Sequence, residues 1–119
     1  MEDLIEIKKN IEDFSILWEE SFKDGNHKMA NKYNAEISKI IKKIEKDKEL
    51  CKSVLSSLLS SPNPSTRLMA AVHALDQKVC IEESEEVLKK IANDPAIRLV
   101  RLMAQIHVHN LESKKTNQT

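Results

Sequence analysis

The chain has 119 residues, with 19 Lys and Arg matched by 19 Asp and Glu, one Gly, three Pro and 3% aromatic residues. This length is typical of one domain. The zero net charge argues against a dedicated nucleic-acid binder, which usually has a basic excess. The scarcity of Gly and Pro argues against a turn-rich β-protein, so we expect helices around an aliphatic core.

Three helices are predicted in the first half of the chain, over residues 2–23, 26–46 and 48–59. Gly25 is expected to take the left-handed conformation that ends the first helix, and Asn26 to cap the second. Apolar residues at spacings of three and four predict the buried face of the first helix. These residues are Leu4, Ile7, Ile11, Phe14, Leu17, Trp18 and Phe22.

Three more helices are predicted in the second half, over residues 64–75, 82–92 and 95–111. Pro64 and Pro95 are each placed in the first helical turn, where the missing N–H is not needed. Residues 1–113 are assigned to a single helical domain, and residues 114–119 to a polar C-terminal tail.

One segment of the sequence occurs twice. RLMAAVH at residues 67–73 returns as RLMAQIH at residues 101–107, an offset of 34, and the Asn63-Pro64 stretch matches Asp94-Pro95 at an offset of 31. Helix pairs repeating every 30–45 residues are typical of an α-solenoid. We therefore predict an all-α, HEAT-like α-solenoid of about six helices in three stacked pairs. A plain helical bundle with a chance match is the alternative.

The residues around the first copy resemble a known family. Residues 64–75 read PSTRLMAAVHAL, and an upstream stretch contains Asn31-Lys32-Tyr33. Both are similar to elements of small bacterial HEAT-like proteins whose helix reads VRLWAATHAL. Here Thr66 stands in place of the usual Val and Met69 in place of the usual Trp. The resemblance covers residues 14–111.

Many relatives in that family are encoded beside polymorphic or contact-dependent growth-inhibition toxins. The resemblance implies an immunity protein that binds one cognate toxin domain, one-to-one, in the bacterial cytoplasm. It implies no catalysis, cofactor, nucleic-acid binding or membrane association. The alternative is a generic HEAT-like scaffold or regulatory protein–protein interaction module.

The sequence contains two acidic stretches, and these lead us to expect that the toxin is a nuclease. Residues 82–86 form the densest charge run, and residues 12–20 hold further acids on the first helix. These carboxylates are expected to face a basic nuclease groove in place of phosphates. The simpler interpretations are helix-dipole stabilisation for residues 82–86 and ion pairing between the acidic first helix and the lysine-rich second. The acidic candidates are Glu12, Glu19, Glu20, Glu82, Glu83 and Glu86.

The exposed face of the second helix of each pair is the other candidate surface, because solenoids bind partners along such faces. Arg67 and Arg98 are expected to bridge adjacent repeats, which leaves Arg101 for a partner. The residues predicted for this face are Tyr33, Met69, His73, Asp76, Arg101 and Gln105.

The sequence contains no recognisable catalytic, phosphate-binding or metal-binding motif. His107 and His109 are two residues apart, so on a helix their rings diverge, and a metal site is not expected. Cys51 and Cys80 lack CxxC spacing and are predicted to be reduced, packed thiols. The N-terminus has no signal-peptide pattern and no apolar run is long enough to span a membrane, which favours the cytoplasm.

Overall fold

The computed structural model describes residues 4–117, with side chains described for residues 4–114. These residues form six helices, and their predicted existence and order are confirmed. The predicted start of the first helix at residue 2 lies outside the described residues. The helices are α1 (Leu4–Lys23), α2 (His27–Ile44), α3 (Lys48–Leu58), α4 (Pro64–Asp76), α5 (Ile81–Ala92) and α6 (Arg98–Asn117).

The turn between α1 and α2 has the predicted cap at each helix end. Gly25 has φ +76°, and the N–H of Asn26 donates to the carbonyl of Ser21 at 2.8 Å, which closes α1 with a left-handed residue. The Asn26 side chain then accepts from the N–H of Met29 at 3.2 Å. This bond satisfies one of the free donors at the start of α2.

The helices pack in sequence-adjacent pairs, α1 with α2, α3 with α4 and α5 with α6. Helix α4 lies at the centre and packs against α1, α3, α5 and α6, while α1 also contacts α6. The predicted all-α class with three helix pairs is confirmed. The contact between α1 and α6 folds the stack into a body of 42 × 36 × 24 Å.

In the structure the two copies of the repeat have the same position in their helices at the offset of 34 and not at 31, and the predicted start of the sixth helix at Pro95 is wrong. The carbonyl of Asn63 accepts from the N–H of Arg67 at 3.0 Å, and that of Ile97 accepts from Arg101 at 2.8 Å. Each arginine is therefore the fourth residue of its helix. Pro95 lies before α6, in a turn where the Asp94 side chain accepts from the N–H of Ala96 at 3.0 Å.

The far end of α6 also differs from the prediction. The helix continues to Asn117, so residues 114–117 of the predicted tail are helical. Residues 118–119 lie outside the described part. The other predicted helix ends agree with the structure within two residues.

The core is aliphatic, as the composition predicts, with Trp18 as its one buried aromatic side chain among the described residues. Ala70 and Ala104 occupy the same place in the repeat and are 1% and 0% exposed. The prediction that Leu17 lies on the buried face of α1 is wrong, because its side chain is 36% exposed. Adjacent helical residues diverge by about 100°, so when Trp18 turns inward Leu17 faces outward.

Candidate partner-binding surfaces

The outward side of α1 combines carboxylates with exposed apolar side chains. Asp13 and Glu20 are exposed, and Ile16 and Leu17 between them are 40% and 36% exposed. We call these four residues the α1 outer face. An apolar centre with a charged rim is the usual anatomy of a protein–protein interface.

The predicted acids of α1 differ in their availability. Glu20 belongs to the α1 outer face. Glu12 is half-buried one turn before Ile16. Glu19 forms an ion pair with Lys23, with 2.7 Å between Glu19 Oε2 and Lys23 Nζ. The sequence interpretation missed Asp13, Ile16 and Leu17. The signal was present in Ile16-Leu17-Trp18, since three consecutive apolar residues cannot all face one side of a helix.

Among residues 4–114, the structure has no ion pair between α1 and α2, contrary to the pairing considered from the sequence. Lys23 pairs with Glu19, Lys39 with Glu36 and Lys90 with Glu86, each within one helix. The carboxylates of the α1 outer face have no ion pair among these residues. Their charge is therefore available to a partner.

The acidic run of α5 forms a separate surface. Glu82 and Glu83 are exposed in the first turn of α5, where carboxylates stabilise the helix dipole. Glu86 pairs with Lys90 at 3.3 Å. Helix α5 packs chiefly on α4 and α6, whereas α1 packs on α2, α3, α4 and α6. The fold thus does not bring the two predicted acidic stretches together across a shared helix interface.

His73 and Asp76 line a cleft of about 940 Å³ between the ends of α4, α5 and α6. His107, the repeat equivalent of His73, lines the same cleft. Burial lowers the pKa of both histidines, and at His73 the nearby Asp76 partly opposes this. Both imidazoles are therefore neutral at pH 7. Apolar side chains form another part of the wall, namely Val72, Leu75, Ile81 and Leu111.

Charged side chains of both signs also line this cleft, namely Asp76, Glu85, Lys78 and Lys114, so its neutral histidines do not by themselves select an uncharged ligand. Its polar members do not form a metal-ligand set: over the described residues, no three His, Cys, Asp or Glu side chains are grouped to hold a metal ion.

Arg101 and Gln105 lie one turn apart on α6 and have different roles. Gln105 Nε2 donates to the carbonyl of Ala92 at 3.0 Å, which satisfies a free acceptor at the end of α5. Arg101 is half-buried, and its Nε has no hydrogen-bond partner among the described residues. Because this nitrogen is itself buried, it does not face a partner at the surface, and the contact of Arg101 with a partner stays a prediction.

The prediction that Arg67 and Arg98 bridge adjacent repeats is wrong for Arg67, and Arg101, not Arg98, occupies the place of Arg67 in the second copy. Arg67 Nη1 donates to the carbonyl of Ser61 at 2.8 Å, so it ties α4 to the preceding loop of its own pair. Arg98 is the first residue of α6 and is exposed.

Two residues predicted for the second-helix face are not free on the surface. Met69 is only 7% exposed, because α4 is covered by four other helices. Tyr33 is half-buried, with its ring centroid 6.1 Å from that of Phe14. The predicted face is therefore not one continuous surface, and within it His73 and Asp76 alone share a cleft.

Searches of protein-family models, curated proteins and solved structures found no match to this chain. Among the described residues, no helix combines the length and apolar character needed to cross a bilayer.

Proposed function

We propose that this chain is an immunity protein that binds a cognate bacterial nuclease toxin domain in the cytoplasm and blocks its active site. The observation that carries the proposal is the α1 outer face. Its carboxylates are unpaired within the described residues, and they flank exposed Ile16 and Leu17. The sequence resemblance to toxin-associated HEAT-like proteins supports the same function.

A nuclease fits this surface because its active-site groove is built to hold phosphates. Asp13 and Glu20 are seven residues, or about two helical turns, apart on the same side of α1. Both carboxylates can therefore occupy phosphate positions in one groove. Such complementarity accelerates association and disfavours partners of the wrong charge. Ile16 and Leu17 supply the centre that excludes water, where most of the binding energy of an interface is concentrated.

The acids of α5 have a secondary role in this proposal. Glu82 and Glu83 stabilise their own helix, and they add long-range attraction for a basic partner. Changing them is expected to slow association, whereas changing the α1 outer face is expected to speed dissociation as well.

The proposal is tested by nuclease inhibition. The toxin domain encoded beside the gene is assayed on a fluorescent nucleic acid with increasing amounts of the chain. We expect cleavage to stop at one chain per toxin domain. Asp13→Lys/Glu20→Lys should weaken inhibition by about a hundredfold or more, and the charge-matched Glu82→Lys/Glu83→Lys by about tenfold or less.

Two results would count against the proposal. Uninhibited cleavage at a large excess of folded chain would leave the scaffold or regulatory-module interpretation in its place. Equal loss of inhibition in the two variants would mean that net charge, rather than the α1 outer face, determines binding.

A further inference from the structure

A cleft of about 580 Å³ opens between α1 and the C-terminal half of α2. Ligand pockets in proteins typically have volumes of roughly 300–1,000 Å³. Its apolar wall consists of Phe14 from α1 and Ile40 from α2, which are half-buried and pack against the core. The ring centroid of Phe14 lies 6.1 Å from that of Tyr33, which restricts the orientation of the Phe14 ring. The fold therefore holds the apolar wall in place without a ligand.

Lysines form the charged part of the same cleft. Lys42, Lys43 and Lys46 line it and are exposed, and they have no ion pair among the described residues. Lys42 and Lys43 belong to the last turn of α2, where they also stabilise the helix dipole. Three ammonium groups thus lie beside an apolar wall without an anionic partner in the described part of the chain.

The two glutamates that line the cleft do not cancel these charges. Glu36 Oε1 pairs with Lys39 Nζ at 3.2 Å, and both residues line the cleft. Glu45 Oε2 accepts from Gln77 Nε2 at 2.9 Å, which holds this carboxylate oxygen against the residue that follows α4. Four lysines and two glutamates line the cleft, so it keeps a positive excess.

We propose that this cleft binds a single-chain anionic amphiphile, an alkyl carboxylate of the fatty-acid type. The alkyl chain packs on Phe14 and Ile40, where it is removed from water. The carboxylate lies among the Nζ atoms of Lys42, Lys43 and Lys46, which donate charge-assisted hydrogen bonds to it. An uncharged chain would leave these ammonium groups without a partner, and a small inorganic anion would leave the apolar wall in water.

The inference goes beyond the proposed function and does not depend on it. The cleft uses none of the four residues of the α1 outer face, and its ligand is a small molecule. The experiment uses the full chain alone, so its outcome is separate from that of the toxin experiment.

Isothermal titration calorimetry with four probes tests the ligand chemistry, at concentrations below micelle formation. Decanoate carries both parts of the ligand, decanol has the same chain without charge, decyltrimethylammonium has the opposite charge, and acetate lacks the chain. We expect one decanoate per chain, bound at least about tenfold more tightly than each of the other three probes. Dodecanoate should bind more tightly than decanoate, because each further buried methylene strengthens binding.

A pair of matched variants tests the place of binding. Lys43→Gln/Lys46→Gln should weaken decanoate binding by about tenfold, because it removes two of the three unpaired charges at the cleft. The control is Lys28→Gln/Lys32→Gln, which removes the same charge from exposed residues of α2 that do not line the cleft. The control should leave the dissociation constant of decanoate unchanged. Circular dichroism verifies that both variants retain their helices.

Three results would overturn the proposal. The first is a chain that does not bind decanoate, and the second is equal affinity for decanoate and decanol. The third is an equal loss of affinity in the two lysine variants, because binding would then follow the overall charge of α2 rather than the cleft.

Discussion

Leu68→Ala and Leu102→Ala remove the same atoms from the same position of the two repeats. Leu68 is 3% exposed and Leu102 is 52% exposed. Deleting a buried leucine side chain costs the lost transfer energy plus a cavity term, about 3 kcal/mol within a range of roughly 2–5 kcal/mol. At Leu102 half of the side chain is already in water and no cavity forms, so the expected cost is under about 1 kcal/mol.

Urea unfolding measures both costs as differences in the free energy of unfolding. Helix content is followed by circular dichroism, and the environment of Trp18, which is 6% exposed, by fluorescence. We expect the two variants to differ in free energy of unfolding by about 2 kcal/mol or more. Equal costs would refute the assignment of the Leu68 side of α4 as interior and the Leu102 side of α6 as exterior.

Three further predictions concern stability. Burial lowers the folded-state pKa of His73 and His107 below the ordinary 6.5. Between the lowered folded-state pKa and about 6.5, the unfolded chain therefore binds more protons than the folded chain, so the free energy of unfolding should decrease as the pH falls through this range. Unfolding at several pH values measures this decrease, and His73→Gln/His107→Gln should make the free energy of unfolding less dependent on pH. Thr66 is 0% exposed and its Oγ1 has no hydrogen-bond partner in the described structure, so Thr66→Val should raise the free energy of unfolding by about 1 kcal/mol; a loss of stability would indicate an unseen partner for the hydroxyl. Asn26→Ala removes the N-cap of α2, whose side chain accepts from the N–H of Met29. It should lower the free energy of unfolding by about 1 kcal/mol in the same assay, and an unchanged value would show that the cap is dispensable.

The helices and their pairing follow from local rules that are visible in the sequence. Gly25 and Asn26 act as the predicted stop and cap, and the apolar periodicity places the core on the correct sides of most helices. The start of α6 was misplaced because an Asp-Pro pair fits two local structures. In Asn63-Pro64 the asparagine is the helix N-cap, whereas in Asp94-Pro95 the same kind of pair forms a turn before the helix.

The partner-binding surfaces were only partly predictable, because exposure depends on how helices pack. Met69 is buried since α4 is central, and no local pattern distinguishes a central helix from a peripheral one. Leu102 is exposed although Leu68, with identical neighbours in sequence, is buried. Glu20 is exposed, as charged side chains usually are unless they are paired, whereas Arg101 is half-buried with its Nε covered.

Isothermal titration calorimetry of this chain with the domain proposed as its toxin tests the central claim most directly. We expect one toxin domain bound per chain, with a dissociation constant of about nanomolar order or below, equivalent to roughly −12 kcal/mol. Asp13→Lys/Glu20→Lys should reduce that affinity while its circular dichroism spectrum stays unchanged. No heat of binding between the two folded proteins, at concentrations where a micromolar complex would be detected, would contradict the account.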